Sequence, residues 1–245
     1  MTPCQILEVF MVDSSMTRKQ QERFARDQLI LSVANELFAD QGYHQTSMQH
    51  IANKAGYSKG TIYQHYTCKE DVLAKLYLLC GAQLQSLIHS IVTSDSSLRL
   101  KIILIASVFL NNAKNLPAIS SHVPLIKSVD FSSKLSEEHQ QQITKLDGEI
   151  LAVIIRLFDG CDNFDCDRVK HATFGWWSMQ LGVQSVLTSG WDISAMGFNS
   201  PEECMFHSLN IFLNGLGIPD CDECQSWTDI EKESHIILKA VKSFI

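Results

Sequence analysis

Lys59, Thr61, Tyr63, Gln64 and His65 lie close together in the polar run SKGTIYQH. Their side chains carry an ammonium, a hydroxyl, a phenol, a carboxamide and an imidazole. Each can donate a hydrogen bond and none bears a negative charge, a combination suited to phosphate oxygens and base edges. Gln64 can bond adenine through both of its amide groups, and Gly60 lets another backbone approach closely. A second chemistry is offered by the eight cysteines, among them Cys161-x4-Cys166 and Cys221-x2-Cys224. Thiolates at such spacings can hold zinc or copper, but Asp162, Asp165, Asp222 and Glu223 beside them disfavour thiolate formation. The spacers match no standard zinc module, so free reduced thiols are expected, with no metal site and no disulfide framework.

The donors at 58–65 need a rigid support, and the surrounding pattern supplies one. Thr46 or Ser47 can cap a helix in which Met48, Ile51, Ala52 and Ala55 form one apolar face. Gly56 stands where the chain must leave that helix. Tyr57 would plug the turn, Ser58 cap a second short helix, and Ile62 point back to the core. The arrangement is a helix, a tight turn and a helix, the geometry that lays one helix into a DNA groove.

The segment IANKAGYSKGTIYQHYTCKEDVL resembles the signature of TetR-type (TetR/AcrR-like) transcriptional regulators. It departs from the usual pattern at Tyr66, where Phe is more common, and at Val72, where Leu is; both changes are conservative. With the preceding helix the resemblance runs roughly from Gln20 to Ile91. It implies an all-α chain with a three-helix helix-turn-helix head at 20–68 and a helical ligand-binding and dimerisation domain at 69–245; the leader, with no basic start and with Glu8 and Asp13 around its apolar run, reads as a disordered arm at 1–19. Met16 is an alternative start, since the amphipathic pattern begins only after it. By resemblance, Thr46 and Ser47 touch phosphate, Lys59, Tyr63 and His65 meet the DNA backbone, and Lys69 meets phosphate at the next helix start. Ser58, Gly60 and Thr61 complete the surface, and Gln64 is the candidate reader of sequence.

The charge distribution agrees. Residues 17–77 hold eight Lys and Arg against six Asp and Glu, whereas the rest of the chain holds twelve against twenty-one, within a formal net charge of −7. A slightly basic head on an acidic body concentrates attraction for a polyanion where the groove-reading motif lies.

The remainder reads as helices throughout. They are expected at 22–41, 69–91, 98–110, 136–158, 166–189 and 201–215, with a short or irregular piece between Pro117 and residue 130, and a last helix near Thr228 boxed by Glu231. The helices at 166–189 and 201–215 are rich in aromatics and Met, which suits a homodimer interface. Phe109, Leu125, Ile126, Phe131, Ile154, Phe158, Phe174 and Trp177 are the candidates for lining an effector pocket, implying an apolar or aromatic small molecule. His122, His171 and His207 could add polarity.

The chain shows no Gly-rich phosphate loop, no HExxH and no defensible nucleophile–base–orienter set, so an enzyme is not expected and no cofactor is called for. No uncharged apolar stretch reaches the ~18 residues of a membrane span, and no signal peptide is recognised, which points to a cytoplasmic protein without a membrane partner. The resemblance implies a repressor released from a palindromic operator in double-stranded DNA by an unknown effector. The alternative is a metal- or thiol-responsive regulator using Cys161, Cys166, Cys221 and Cys224.

Overall fold

Thr17 starts the first helix. Its hydroxyl accepts from the Gln20 N–H at 3.4 Å while its own N–H donates to Gln20 Oε1 at 2.8 Å, a reciprocal cap. Helix α1 therefore runs Arg18–Asp40, four residues earlier than periodicity alone suggested. Apolar residues thin out near its start while the polar capping signal persists there, so residues 17–19 belong to this helix and not to an arm. The computed structural model describes residues 16–161, 164–219 and 226–242, and residues 1–15 of the expected arm lie outside them.

Eleven further α-helices follow among the described residues: α2 Met48–Ala55, α3 Lys59–Tyr63, α4 Lys69–Thr93, α5 Leu98–Asn115, α6 Pro117–Ser120, α7 Val123–Ile126, α8 Val129–Ser132, α9 Glu137–Asp159, α10 Cys166–Ser189, α11 Pro201–Gly215 and α12 Trp227–Lys242. There is no strand among the described residues, and the all-α reading holds. The last helix starts one residue early. Ser226 caps it by accepting from the Asp229 N–H at 3.3 Å, so the expected Thr228–Glu231 box is not the one used.

The chain packs as two units. The first takes residues up to Gly81 together with Asn115–Lys145; the second takes Ala82–Lys114 and the chain from Leu146 onward. The packing boundary thus falls inside α4 and inside α9, whereas the sequence suggested residue 69. In the first unit Ile30, Leu31, Ala34 and Phe38 of α1 meet Ile51 and Ala52 of α2, Ile62 of α3, and Leu73 and Leu76 of α4. Ala118, Ile119, Ile126 and Phe131 from α6–α8 close the same core. The Pro-bracketed segment is therefore a lid of single-turn helices on the head, not part of a rear domain.

Asp71 ties α4 to the start of α9 within this unit. Its side chain is 3% exposed and accepts from the Ser136 N–H at 3.1 Å, from His139 Nδ1 at 2.9 Å and from the Thr67 hydroxyl. Burial alone would raise this carboxyl, but the bonds from Thr67, His139 and Ser136 outweigh it and hold the group below its ordinary value. An acidic residue near a helix start suggests a dipole role; here it also organises a second helix.

In the second unit α5 is buried on nearly every side, including Ile102, Ile103, Leu104, Ile105 and Ala106, as its uniformly apolar sequence implied. Arg99, 2% exposed, is held by Asn210 Oδ1 at 2.7 Å, the Pro219 carbonyl at 2.7 Å, the Ile218 carbonyl at 2.6 Å and Asn214 Oδ1. It clamps two side chains of the C-terminal half of α11 to the carbonyls of the loop that follows. Helices α10 and α11 cross closely: a Cβ at Gly175 would lie 2.9 Å from a Phe212 ring carbon. By length and composition α4 could cross a membrane, yet Val72, Leu73, Ala74, Leu76, Ile88 and Ile91 on it are buried within the fold.

Two outcomes follow. Asp71→Asn should cost about 1–3 kcal/mol at neutral pH in urea unfolding. Since the folded carboxyl is depressed, the wild-type advantage is complete above about pH 4 and shrinks as pH falls through the lower folded value. A gap between the two proteins that widened on acidification would contradict this assignment. Gly175→Ala should cost about 1–3 kcal/mol, because the Phe212 ring must move, and adding Phe212→Leu should recover much of the loss.

Candidate nucleic-acid interface

Helix α2 is capped by Ser47, whose Oγ accepts from the His50 N–H at 3.2 Å. It ends at Gly56 with φ of 72°, a left-handed conformation that a side chain would strain. Ser58 then caps α3 by accepting from the Thr61 N–H at 3.1 Å and lies 2.9 Å from the Thr61 hydroxyl. Ile62 is fully buried and fixes the rotation of α3, which sets the face presented to solvent. On that outer side Ser58, Lys59, Gly60, Tyr63 and Gln64 are exposed and Thr61 is partly so. The Lys59 ammonium lies 5.7 Å from the Tyr63 ring centroid and has no carboxylate partner among the described residues. Lys54 differs: it is paired with Glu36 at 3.0 Å, so its charge is locally neutralised.

Three of the sequence-derived contacts need correction. Thr46 is 2% exposed, and its hydroxyl donates to the Gly42 carbonyl at 2.9 Å and accepts from Gln41 Nε2 at 3.1 Å. It seals the α1–α2 loop and is closed to phosphate. The side chain of His65 is 6% exposed, with Nδ1 donating to Asp27 Oδ1 at 3.2 Å, so it latches α3 to α1. Lys69 donates to the carbonyls of Tyr43 at 2.9 Å, Thr46 at 3.0 Å and His44 at 3.4 Å, and sits 4.3 Å from the Tyr43 ring centroid. Burial lowers this ammonium from its ordinary value, against the pull of Glu70. All three residues have side chains that can bind phosphate, and in all three the fold has engaged those groups internally. Ser47 is half-buried and remains beside the exposed Gln49 and His50, two polar side chains that the motif did not single out. Lys19 and Arg23, exposed on α1, are further cations of the same unit; their only signal was their place in the net charge.

The proposed pocket residues divide between the two packing units. Leu125, Ile126 and Phe131 pack into the head's core, beside the aromatic pair of Phe38 and Tyr43. Phe109, Ile154, Phe158 and Trp177 belong to the second unit, where Ile154 and Phe158 are fully buried packing. Phe174 is 73% exposed and lines no interior. Helical periodicity marks a side chain as inward but does not say which core it enters. Within the second unit a cavity of about 60 Å³ lies among Ser107, Leu110, Asn111, Lys114, Glu202 and Trp227, with Glu202 paired to Lys114. Of the candidate metal cysteines, Cys161 is half-buried and Cys166 exposed, while Cys221 and Cys224 lie outside the described residues. Among the described residues no three His, Cys, Asp or Glu side chains gather as a metal site. Burial pushes the Cys80 thiol up to about 12, which makes it inert.

Residues 30–76 match the sequence profile described as bacterial regulatory proteins, tetR family. The chain is 27% identical over 176 residues to the transposon Tn10 TetC protein of Escherichia coli, covering 68% of this chain and 83% of that protein. It is 27% identical over 149 residues to the fatty acid metabolism regulator protein of Bacillus subtilis (strain 168), covering 60% of this chain and 76% of that one. Among solved structures, the transcriptional regulator FadR from Bacillus subtilis in complex with stearoyl-CoA superposes with a TM-score of 0.58 at 18% identity, covering 76% of this chain and 97% of that one.

The geometry separates two lysines in one measurement. Lys59→Ala should leave the unfolding temperature unchanged, weaken binding to duplex DNA, and flatten the slope of log affinity against log salt by about 1. Lys69→Met should lower stability by about 1–3 kcal/mol, because it strands three loop carbonyls. If Lys69→Met left the unfolding transition unmoved, the carbonyl-binding role would be wrong.

Proposed function

The chain belongs to the tetR family of bacterial regulatory proteins, and we propose that it is a dimeric repressor released from a palindromic operator by a small apolar or aromatic effector. The observation that carries the DNA-reading part is the α3 surface. Ser58 caps it, Ile62 orients it, and Lys59, Tyr63 and Gln64 stand exposed on it. In this reading Lys59 and Tyr63 meet phosphates, Ser47, Ser58, Gly60 and Thr61 border the backbone, and Gln64 reads a base edge. The protein acts in the cytoplasm, where the chromosome is.

Two copies are needed to read a palindrome, with recognition helices roughly 34–36 Å apart. The proposed contact uses α10 and α11. Phe174 and Ile211 are 73% and 75% exposed, and Leu181 is 38% exposed, apolar surface that a partner copy would remove from water. Support for an effector with an apolar part comes from the Bacillus subtilis FadR structure, a protein of the same fold solved in complex with stearoyl-CoA. The effector acts through its differential affinity for two arrangements of the dimer. Helix α4 is the element suited to transmit it, because Lys69 and Asp71 at its start hold both the α1–α2 loop and the start of α9.

The test is a salt series of binding to duplex DNA from the gene's own upstream region, with random duplex as reference. The wild type should bind its own DNA more tightly and with steep salt dependence, and Lys59→Ala/Tyr63→Ala should lose the preference. Phe174→Glu/Ile211→Glu should sediment as a folded monomer and lose affinity for the two-half-site operator while keeping weak binding to a half-site. A dimer in that variant would overturn the proposed interface.

A further inference from the structure

Helix α10 carries three buried polar side chains at positions 173, 176 and 180, a spacing that sets them along one face. Thr173 is 6% exposed, Trp176 1% and Gln180 2%. None of Thr173 Oγ1, Trp176 Nε1, Gln180 Oε1 or Gln180 Nε2 has a hydrogen-bond partner among the described residues. Buried polar groups are satisfied as a rule, and each orphan needs an explanation. Here four unsatisfied atoms share one helix face. The same unit shows the contrasting case: Arg99, equally buried, is met by four oxygen acceptors.

We propose that this face of α10 is the polar subsite for the effector, and that it selects a neutral ligand bearing an H–X–C=O edge, as in a carboxamide or lactam. The inference rests on the ligand-responsive reading above and specifies its chemistry. A Gln side chain offers a donor and an acceptor side by side, so it pairs with such an edge through two bonds. The Trp176 N–H donates to the remaining lone pair of the ligand carbonyl, and the Thr173 hydroxyl fills whichever role is left. A carboxylate, which only accepts, would leave the Gln180 carbonyl unpaired. A pure hydrocarbon would leave all four atoms unpaired.

The walls are aromatic. Phe109 lies edge-on to Trp176 and to Trp177, each with centroids 5.8 Å apart, and the two indoles are 6.2 Å apart. Rings this close leave no gap for a ligand, so one must swing aside, and Trp177 is the partly exposed one. An aryl group on the ligand would replace the contact that is broken.

The probes are 2-naphthamide, 2-naphthoate and naphthalene, titrated into the full chain labelled with 15N at its four tryptophan indoles. The amide should bind about tenfold or more tightly than either analogue and move the Trp176 indole N–H resonance, assigned by its loss in Trp176→Phe. Thr173→Val/Gln180→Leu should raise the unfolding temperature without ligand, because it removes orphaned groups, and should erase the amide's advantage while naphthalene binds as before. If that double variant misfolds, Gln180→Met alone should give the same loss of preference. Equal binding of the three probes, an unmoved Trp176 resonance, or an unchanged preference in the variants would overturn the subsite. Release of operator DNA is scored in the same samples. Release by naphthoate or naphthalene without amide preference sinks the polar subsite and leaves ligand response standing. Amide binding at Trp176 with the DNA still held keeps the subsite and sinks release by this ligand.

Discussion

The Lys69 ammonium is the contact on which the geometry of the head depends. Three carbonyls of the α1–α2 loop point at one cation, which also faces the Tyr43 ring. A loop with convergent carbonyls is unfavourable without a donor, and the charge makes these hydrogen bonds stronger than neutral ones. With the loop held, Thr46 can turn its hydroxyl inward and Ser47 can cap α2. Since α2 sets the turn at Gly56 and Ile62 anchors α3, the proposed recognition surface rests on a lysine whose ammonium is engaged by the loop. The same residue begins α4, so the scaffold of the proposed DNA-facing surface and the start of the longest described helix are one structure.

Polar groups inside the molecule fall into two kinds. Asp71 and Arg99 are buried with their donors and acceptors matched, and each joins segments far apart in the chain: α4 to α9 in one unit, α5 to the end of α11 in the other. Such groups stabilise because geometry offsets desolvation. Thr173, Trp176 and Gln180 are neutral and cost less to desolvate, but they have no matching partners. Each such orphan calls for an explanation, and for the cluster on α10 the one we propose is a bound molecule that pairs with it.

Much of the recognition motif was legible. The Ser58 cap, the Gly56 turn, the apolar face of α2 and the boundaries of α10 and α11 all follow from local rules, because capping and periodicity act within one or two turns. The roles of Thr46, His65 and Lys69 did not. Their side chains are as suited to phosphate as those of Lys59 or Tyr63, and the difference lies in what surrounds them: Gly42, Asp27 and the Tyr43 carbonyl. Two of those three partners are 26 and 38 residues away, beyond the reach of any spacing argument.

By itself the sequence determined that the chain is helical, where its helices begin and end to within a few residues, and that a turn at Gly56 presents Lys59, Tyr63 and Gln64. These properties are set by backbone sterics, capping and hydrophobic period, which are local. Tertiary structure alone decided which polar side chains remain free, that the Pro117–Phe131 segment closes the head, and that the apolar residues thought to share one pocket occupy two different cores. An inward-facing residue is identified by its period, but the core it joins is chosen by loop closure and shape fit between distant helices. Burial of a charge is tolerable only where distant partners arrive together.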